Sequence, residues 1–450
     1  MRSIVVFALS MFFLTACSSS RPVVKAEENK AETTGSAWFE QMPFKNAFVG
    51  VSIYNITEEK YLYNYQADKY FVPASNTKIF TLYAGLKYLK DSLPGIGYEE
   101  TTDTLFIYPT ADPSFLHPDF KKQPVVEKLQ KTAKPVVVVD DQWTEEALGS
   151  GWSWDDYNDS YMTERNSLPA YGNVIKWIQV SQKNTQQEIE DSMQTFVFSE
   201  PEVNWKVRFK EDTANKIFFV KRKKDDNYFE VNQGKEKFKE QSVPFVTNGI
   251  QSTLELLTDT IHKKISSQPV RRLAKPLTLY SQPSDSLYKL MMYRSDNFFA
   301  EQILLMASHE KLGTMNDSEI IDTLLKSELK ELPQKPNWVD GSGLSRYNLF
   351  TPQDFVLILK KMNAEFGIER LKSIFPGSGQ GTLANYYKND SGYIYAKTGS
   401  MSGVIALSGF LITPKNNLLI FSVLVNNFQG SAGDIRRGVE AFLSDFRRKH

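Results

Sequence analysis

The segment Val72-Pro73-Ala74-Ser75-Asn76-Thr77-Lys78-Ile79-Phe80-Thr81-Leu82-Tyr83-Ala84-Gly85-Leu86 holds two signals at once. Ile79, Leu82, Tyr83 and Leu86 fall at i, i+3, i+4 and i+7, which predicts one apolar helix face. Ser75 then sits in the first turn of that helix, with Lys78 projecting from the same face three residues on. A serine hydroxyl is a poor nucleophile near neutrality and needs a base within hydrogen-bond reach. Lys78 can serve only when it is neutral, which burial or a neighbouring cation such as Lys397 would favour. A helix N-terminus also favours negative charge developing on Ser75. The S-x-x-K string alone carries little weight, because it recurs at Ser286, Ser308 and Ser327. Read in isolation, a capping serine beside an exposed lysine is the commoner arrangement.

Two later strings supply the missing parts. Ser295-Asp296-Asn297 lies between segments of helical pattern, and from Ser75 to Ser295 is 220 residues. Lys397-Thr398-Gly399 ends a strand-like run that starts at Tyr393. Ser295 can relay a proton between Lys78 and a leaving amine. Asn297 offers an amide to both a substrate carbonyl and Lys78. Lys397 can bind a carboxylate, Gly399 permits close backbone approach, and the strand edge can pair with an extended peptide. The backbone N–H groups of Ser75 and Ser400 are the expected oxyanion hole. A serine–histidine triad lacks material: there are four histidines, none beside Ser75 or Ser295 in sequence, and no G-x-S-x-G string. H-E-x-x-H is absent too, so neither a metal nor any cofactor is expected.

Around these strings the chain divides. Residues 1–16 read as an export leader, with Arg2 before an apolar run too short to span a bilayer. Cys17 is the only cysteine, so no intrachain disulfide is possible. Residues 17–36 are polar and read as a flexible tether. Phe48–Tyr54 and Lys60–Tyr65 read as a hairpin, Val404–Ile412 and Leu418–Val425 as another, and Gly433–Phe446 as a closing helix. Between 98 and 281 the texture changes to short strand-like runs with a charged stretch over Asn204–Gln241, which predicts a mainly β insertion between catalytic segments 37–97 and 282–450. The formal net charge is zero, with 24% charged residues, which gives no sign of nucleic-acid binding.

Together these features resemble the D-alanyl-D-alanine carboxypeptidase/endopeptidases of the class C low-molecular-mass penicillin-binding proteins. Beyond the three strings, the resemblance rests on Asp340-Gly341-Ser342-Gly343-Leu344-Ser345-Arg346 and Pro376-Gly377-Ser378-Gly379-Gln380-Gly381-Thr382-Leu383. Lys397-Thr398-Gly399-Ser400-Met401-Ser402-Gly403-Val404 adds to it, with weaker strings at Ala111–Ser114 and Gly151–Trp154. Leu14-Thr15-Ala16-Cys17 resembles the lipobox of bacterial lipoproteins.

The family resemblance implies an α/β (α+β) fold like that of penicillin-binding proteins and β-lactamases, an antiparallel sheet flanked by helices. It implies attack by Ser75 on peptidoglycan stem peptides and acylation of Ser75 by β-lactam antibiotics. It also implies that Lys78, Ser295, Asn297 and Lys397 act in catalysis, and that Ser342, Thr398, Gly399, Ser400 and Met401 contact substrate. Arg346 and an insertion aspartate, Asp156 with Asp155 as rival, would hold the diaminopimelate end. The lipobox resemblance implies lipid on Cys17, hence anchorage to a bacterial membrane facing the periplasm, the outer one by default because Ser18 does not resemble an inner-membrane retention signal. Two other functions fit the same strings: a β-lactamase or esterase, and a catalytically silent wall-binding lipoprotein.

Overall fold

A computed structural model describes residues 36–183, 193–210, 217–269 and 276–450. The leader, Cys17 and nearly all of the tether fall outside the described residues. A five-stranded antiparallel sheet runs in the order Ile394–Met401, Val404–Ile412, Leu418–Asn426, Phe48–Asn55, Lys60–Tyr65. The two hairpins read from sequence meet where Phe48 lies opposite Asn426 and Asn55 opposite Leu419. Side chains alternate across a strand, so Ile405, Leu407 and Leu411 enter one apolar core while Ala406 and Phe410 enter another. The closing helix Ala432–Lys449 covers the first face with Ile435, Val439, Phe442 and Leu443.

Helices cover the second face. The helix Lys78–Tyr88 is buried from Lys78 through Leu86, and Asn297–Leu312 is buried from Phe298 through Ser308. The single apolar face expected for the first of these understates its burial. A helix enclosed on all sides forms the centre of the layer rather than its surface. Pro352–Phe366 packs beside them, its N-terminus closed by a reciprocal capping box between Thr351 and Asp354.

The insertion begins structurally at Ser92, a few residues before the change in texture. Ser92–Glu100 pairs antiparallel with Leu277–Pro283, so the two ends of the excursion are zipped together. They belong to a mixed sheet ordered Ile265–Gln268, Val136–Val139, Leu105–Tyr108, Ser92–Glu100, Leu277–Pro283. Leu105–Tyr108 and Val136–Val139 are parallel, which requires a crossover; the helix Pro124–Lys131 supplies it. Two three-stranded sheets follow with a separate apolar core.

Candidate active site

Ser75 lies in a 3-10 turn, Ala74–Thr77, that runs straight into the Lys78–Tyr88 helix. An ordinary first α-helical turn was the expectation. The tighter turn has local causes. Thr77 Oγ1 donates to the Ala74 carbonyl at 2.9 Å. Ala74 itself adopts φ +46°, and Gly343 abuts its carbonyl so closely that a Cβ there would lie 1.9 Å from the oxygen. Ser295 is likewise left-handed, at φ +61°. Left-handed backbone costs a non-glycine residue about 1–2 kcal/mol. The fold therefore holds strain beside both reactive hydroxyls.

The Lys78 ammonium is fully buried and donates three hydrogen bonds: to Ser75 Oγ at 2.9 Å, Asn297 Oδ1 at 2.7 Å and the Ser342 carbonyl at 2.7 Å. Two of these partners can only accept. If Lys78 loses one proton, the two left still satisfy the amide and the carbonyl, and the lone pair faces the Ser75 hydroxyl. Burial pulls the Lys78 pKa down to about 8, against the opposing charges of Asp340, Glu301 and Asp296. Lys397 is also fully buried and donates to Ser295 Oγ at 2.8 Å and the Thr398 carbonyl at 2.6 Å. Burial, and then the charge of Lys78, drive its pKa well below the ordinary lysine value. No bond joins Lys78 to Ser295 in this arrangement; Ser295 is held by Lys397.

Residues that sequence reasoning overlooked brace this pair. Glu301 lies one helical turn beyond Asn297, a spacing that could have revealed it. Its carboxylate accepts the Ser342 N–H at 2.7 Å while the Ser342 carbonyl binds Lys78. Asp340 accepts the N–H groups of Gly343 and Ser345, the Asn348 amide and the Trp152 indole. The weak Gly151–Trp154 string thus pins the insertion to the Asp340–Arg346 segment. Ser342, expected to touch substrate, is not among the residues lining either cleft at the nucleophile. It is fully buried, its hydroxyl accepts the Leu344 N–H, and its backbone supports Lys78.

Two clefts meet at the nucleophile, sharing Ser75, Ser295 and Ser400. One, of 610 Å³, is lined by Asp156, Tyr161, Asn297, Arg346, Met401 and Ser402 among others. The structure thus brings Asp156, Arg346 and Met401 together. Asp155 lies outside that lining, and its carboxylate binds Ser153 Oγ at 2.6 Å. Arg346 donates to the Ser402 carbonyl at 3.1 Å and, among the described residues, forms no ion pair. Tyr161, a further cleft residue not foreseen, turns its carbonyl to the Asn297 amide at 2.9 Å. The second cleft, of 540 Å³, carries Thr398, Gly399, Thr382, Tyr386 and Arg436. Gly399 is needed chiefly by the protein itself: a Cβ there would lie 2.6 Å from the Pro73 carbonyl, against the turn that presents Ser75.

The chain as a whole is similar to known proteins. The chain matches the family model "D-Ala-D-Ala carboxypeptidase 3 (S13) family" over residues 36–445. It is 23% identical to the D-alanyl-D-alanine carboxypeptidase DacB of Haemophilus influenzae over 94% of this chain and 92% of that one. It is 27% identical to the penicillin-sensitive carboxypeptidase A of Dictyostelium discoideum over 36% of this chain, a match that spans only 33% of that relative. The crystal structure of penicillin binding protein 4 from Haemophilus influenzae superposes with a TM-score of 0.73 at 18% identity, covering 92% of this chain and 99% of that one. The shared fold is an antiparallel sheet flanked by helices.

Proposed function

Because the chain belongs to the D-Ala-D-Ala carboxypeptidase 3 (S13) family, we propose that it is a serine-type D-Ala-D-Ala carboxypeptidase and DD-endopeptidase acting on peptidoglycan stem peptides. The observation that carries this reading is the bonding of Lys78: a buried lysine, pulled down to about 8, aimed at a serine hydroxyl 2.9 Å away. Lys78 takes the Ser75 proton as Oγ attacks the carbonyl of the penultimate D-alanine. The N–H groups of Ser75 and Ser400 receive the oxyanion. Ser295 gives its proton to the departing nitrogen, and the proton gained by Lys78 resupplies Ser295; the two have no bond in the free enzyme, so this transfer requires Lys78 Nζ to turn from the acylated Ser75 Oγ towards Ser295 Oγ. Water then releases the acyl group from Ser75, again with Lys78 as base.

On this reading the cleft of Asp156, Arg346 and Met401 takes the acyl side of the substrate. The Asp156 carboxylate suits an ammonium and Arg346 a carboxylate, the two groups at the free end of a diaminopimelate. Penicillins would acylate Ser75 in the same way. Lipid on Cys17 would hold the enzyme to a membrane, the outer one by default, facing the wall across the periplasm.

Ser75→Ala should abolish covalent labelling by a fluorescent penicillin and release of D-alanine from defined muropeptides. Undiminished labelling of that variant would sink the assignment. Wild-type protein that turns penicillin over rapidly, without a lasting adduct, would point instead to a β-lactamase.

A further inference from the structure

The closing helix Ala432–Lys449 carries five cations, and four of them have acidic partners. Arg437 pairs with Glu440 at 2.6 Å, Arg447 with Asp390 at 3.1 Å, and Arg448 and Lys449 with Asp445 at 3.4 and 2.6 Å. Arg436 differs. Among the described residues no carboxylate pairs with it; its Nη2 donates to Ser400 Oγ at 2.8 Å. It lines the second cleft, where it is the only formally cationic side chain among the lining residues. Lys397 lies behind that wall, with its donors committed to Ser295 and the Thr398 carbonyl. Its depressed pKa makes it a poor source of fixed positive charge.

The two clefts share Ser75, Ser295 and Ser400 and are otherwise lined by different residues. If the acyl side of the substrate occupies the one with Asp156, the leaving residue occupies the other. Whether that residue is a terminal D-alanine or the D-centre of a cross-linked diaminopimelate, its nitrogen sits on a carbon that bears a carboxylate. We propose that Arg436, with the Ser400 hydroxyl it orients, is the specificity-determining residue that reads the α-carboxylate of the leaving residue. A guanidinium stays charged and presents paired donors that match a carboxylate. The inference rests on the peptidase reading and names the feature of the leaving group that the same site selects.

The experiment compares kcat/KM for a diacylated D-Ala-D-Ala peptide with that for its C-terminal amide. Wild type should favour the free carboxylate. Arg436→Gln should lower that preference about ten- to a hundredfold, the range expected for a lost charge-assisted hydrogen bond. Arg436→Lys, which keeps the charge but not the fork, should restore part of it. A preference unchanged in Arg436→Gln, or absent from wild type, would overturn the assignment of Arg436. Wild-type protein that cleaves neither peptide would remove the peptidase reading itself, and the inference with it.

Discussion

At the scale of single residues, the question is how a lysine can be both buried and usable. Burial brings Lys78 down to about 8, while Asp340, Glu301 and Asp296 favour its charged form. Lys78 is therefore charged below that value, and acylation should rise with pH and level off above about 8. Glu301 tunes this balance and positions the lysine through Ser342. Glu301→Gln keeps an oxygen to accept the Ser342 N–H but deletes a negative charge. Lys78 should then release its proton more easily, moving the midpoint of the acylation profile to lower pH by roughly half a unit to one unit. Stopped-flow acylation between pH 6 and 10 reads this directly. A variant that loses rate with an unmoved midpoint would make Glu301 a mere brace. Ser75, Lys78, Ser295 and Lys397 were all legible in sequence because each stands in a short string with its own chemistry. Glu301 and Arg436 stand in no such string: Glu301 had only its spacing of one helical turn from Asn297 to mark it, and Arg436 is set apart only by what the fold places opposite it.

At the scale of elements, the site is a contact between a strand and a turn. Ile394–Met401 runs against Ala74–Thr77, and Gly399 is where they touch. Gly399→Ala would place a methyl 2.6 Å from a backbone oxygen that cannot swing aside. The strand or the turn must shift, and displacements of about 1 Å near reacting groups can cost about a hundredfold in rate. Penicillin acylation should fall by about that factor, while thermal unfolding reports a loss of only about 1–3 kcal/mol. Acylation at the wild-type rate would show that the contact yields without consequence. The hairpins and the closing helix were readable because period-2 and period-3.6 patterns are local. Which strands pair was not, since Phe48–Asn55 meets Leu418–Asn426 across most of the chain. The insertion was visible as a change of texture, but its parallel pairings and its two cores depend on contacts that no local pattern encodes.

At the scale of the molecule, the insertion must be held rigidly if Asp156 is to keep its place in the cleft. Arg165, from the insertion and only 2% exposed, does much of this. It bonds Asp317 at 2.5 Å and Glu301 at 3.4 Å on the helical layer, and Glu145 at 3.4 Å on its own side. Gln302 adds bonds to the carbonyls of Ala111 and Asn166. Arg165→Met would leave buried carboxylates without their cation, a change that commonly costs about 3–5 kcal/mol. The cost should depend on pH in a definite direction. Burial already raises Glu301 and Glu145 to about 7, above their unfolded values, even with Arg165 present. A carboxyl raised in the folded state contributes stability that is full below its unfolded pKa and is lost as pH rises through the folded one. Removing Arg165 raises both further and steepens that loss. Denaturant unfolding should therefore show a modest deficit for Arg165→Met at pH 5 and a deficit several kcal/mol larger at pH 8. Equal deficits at the two pH values would mean that Arg165 acts by packing rather than by charge.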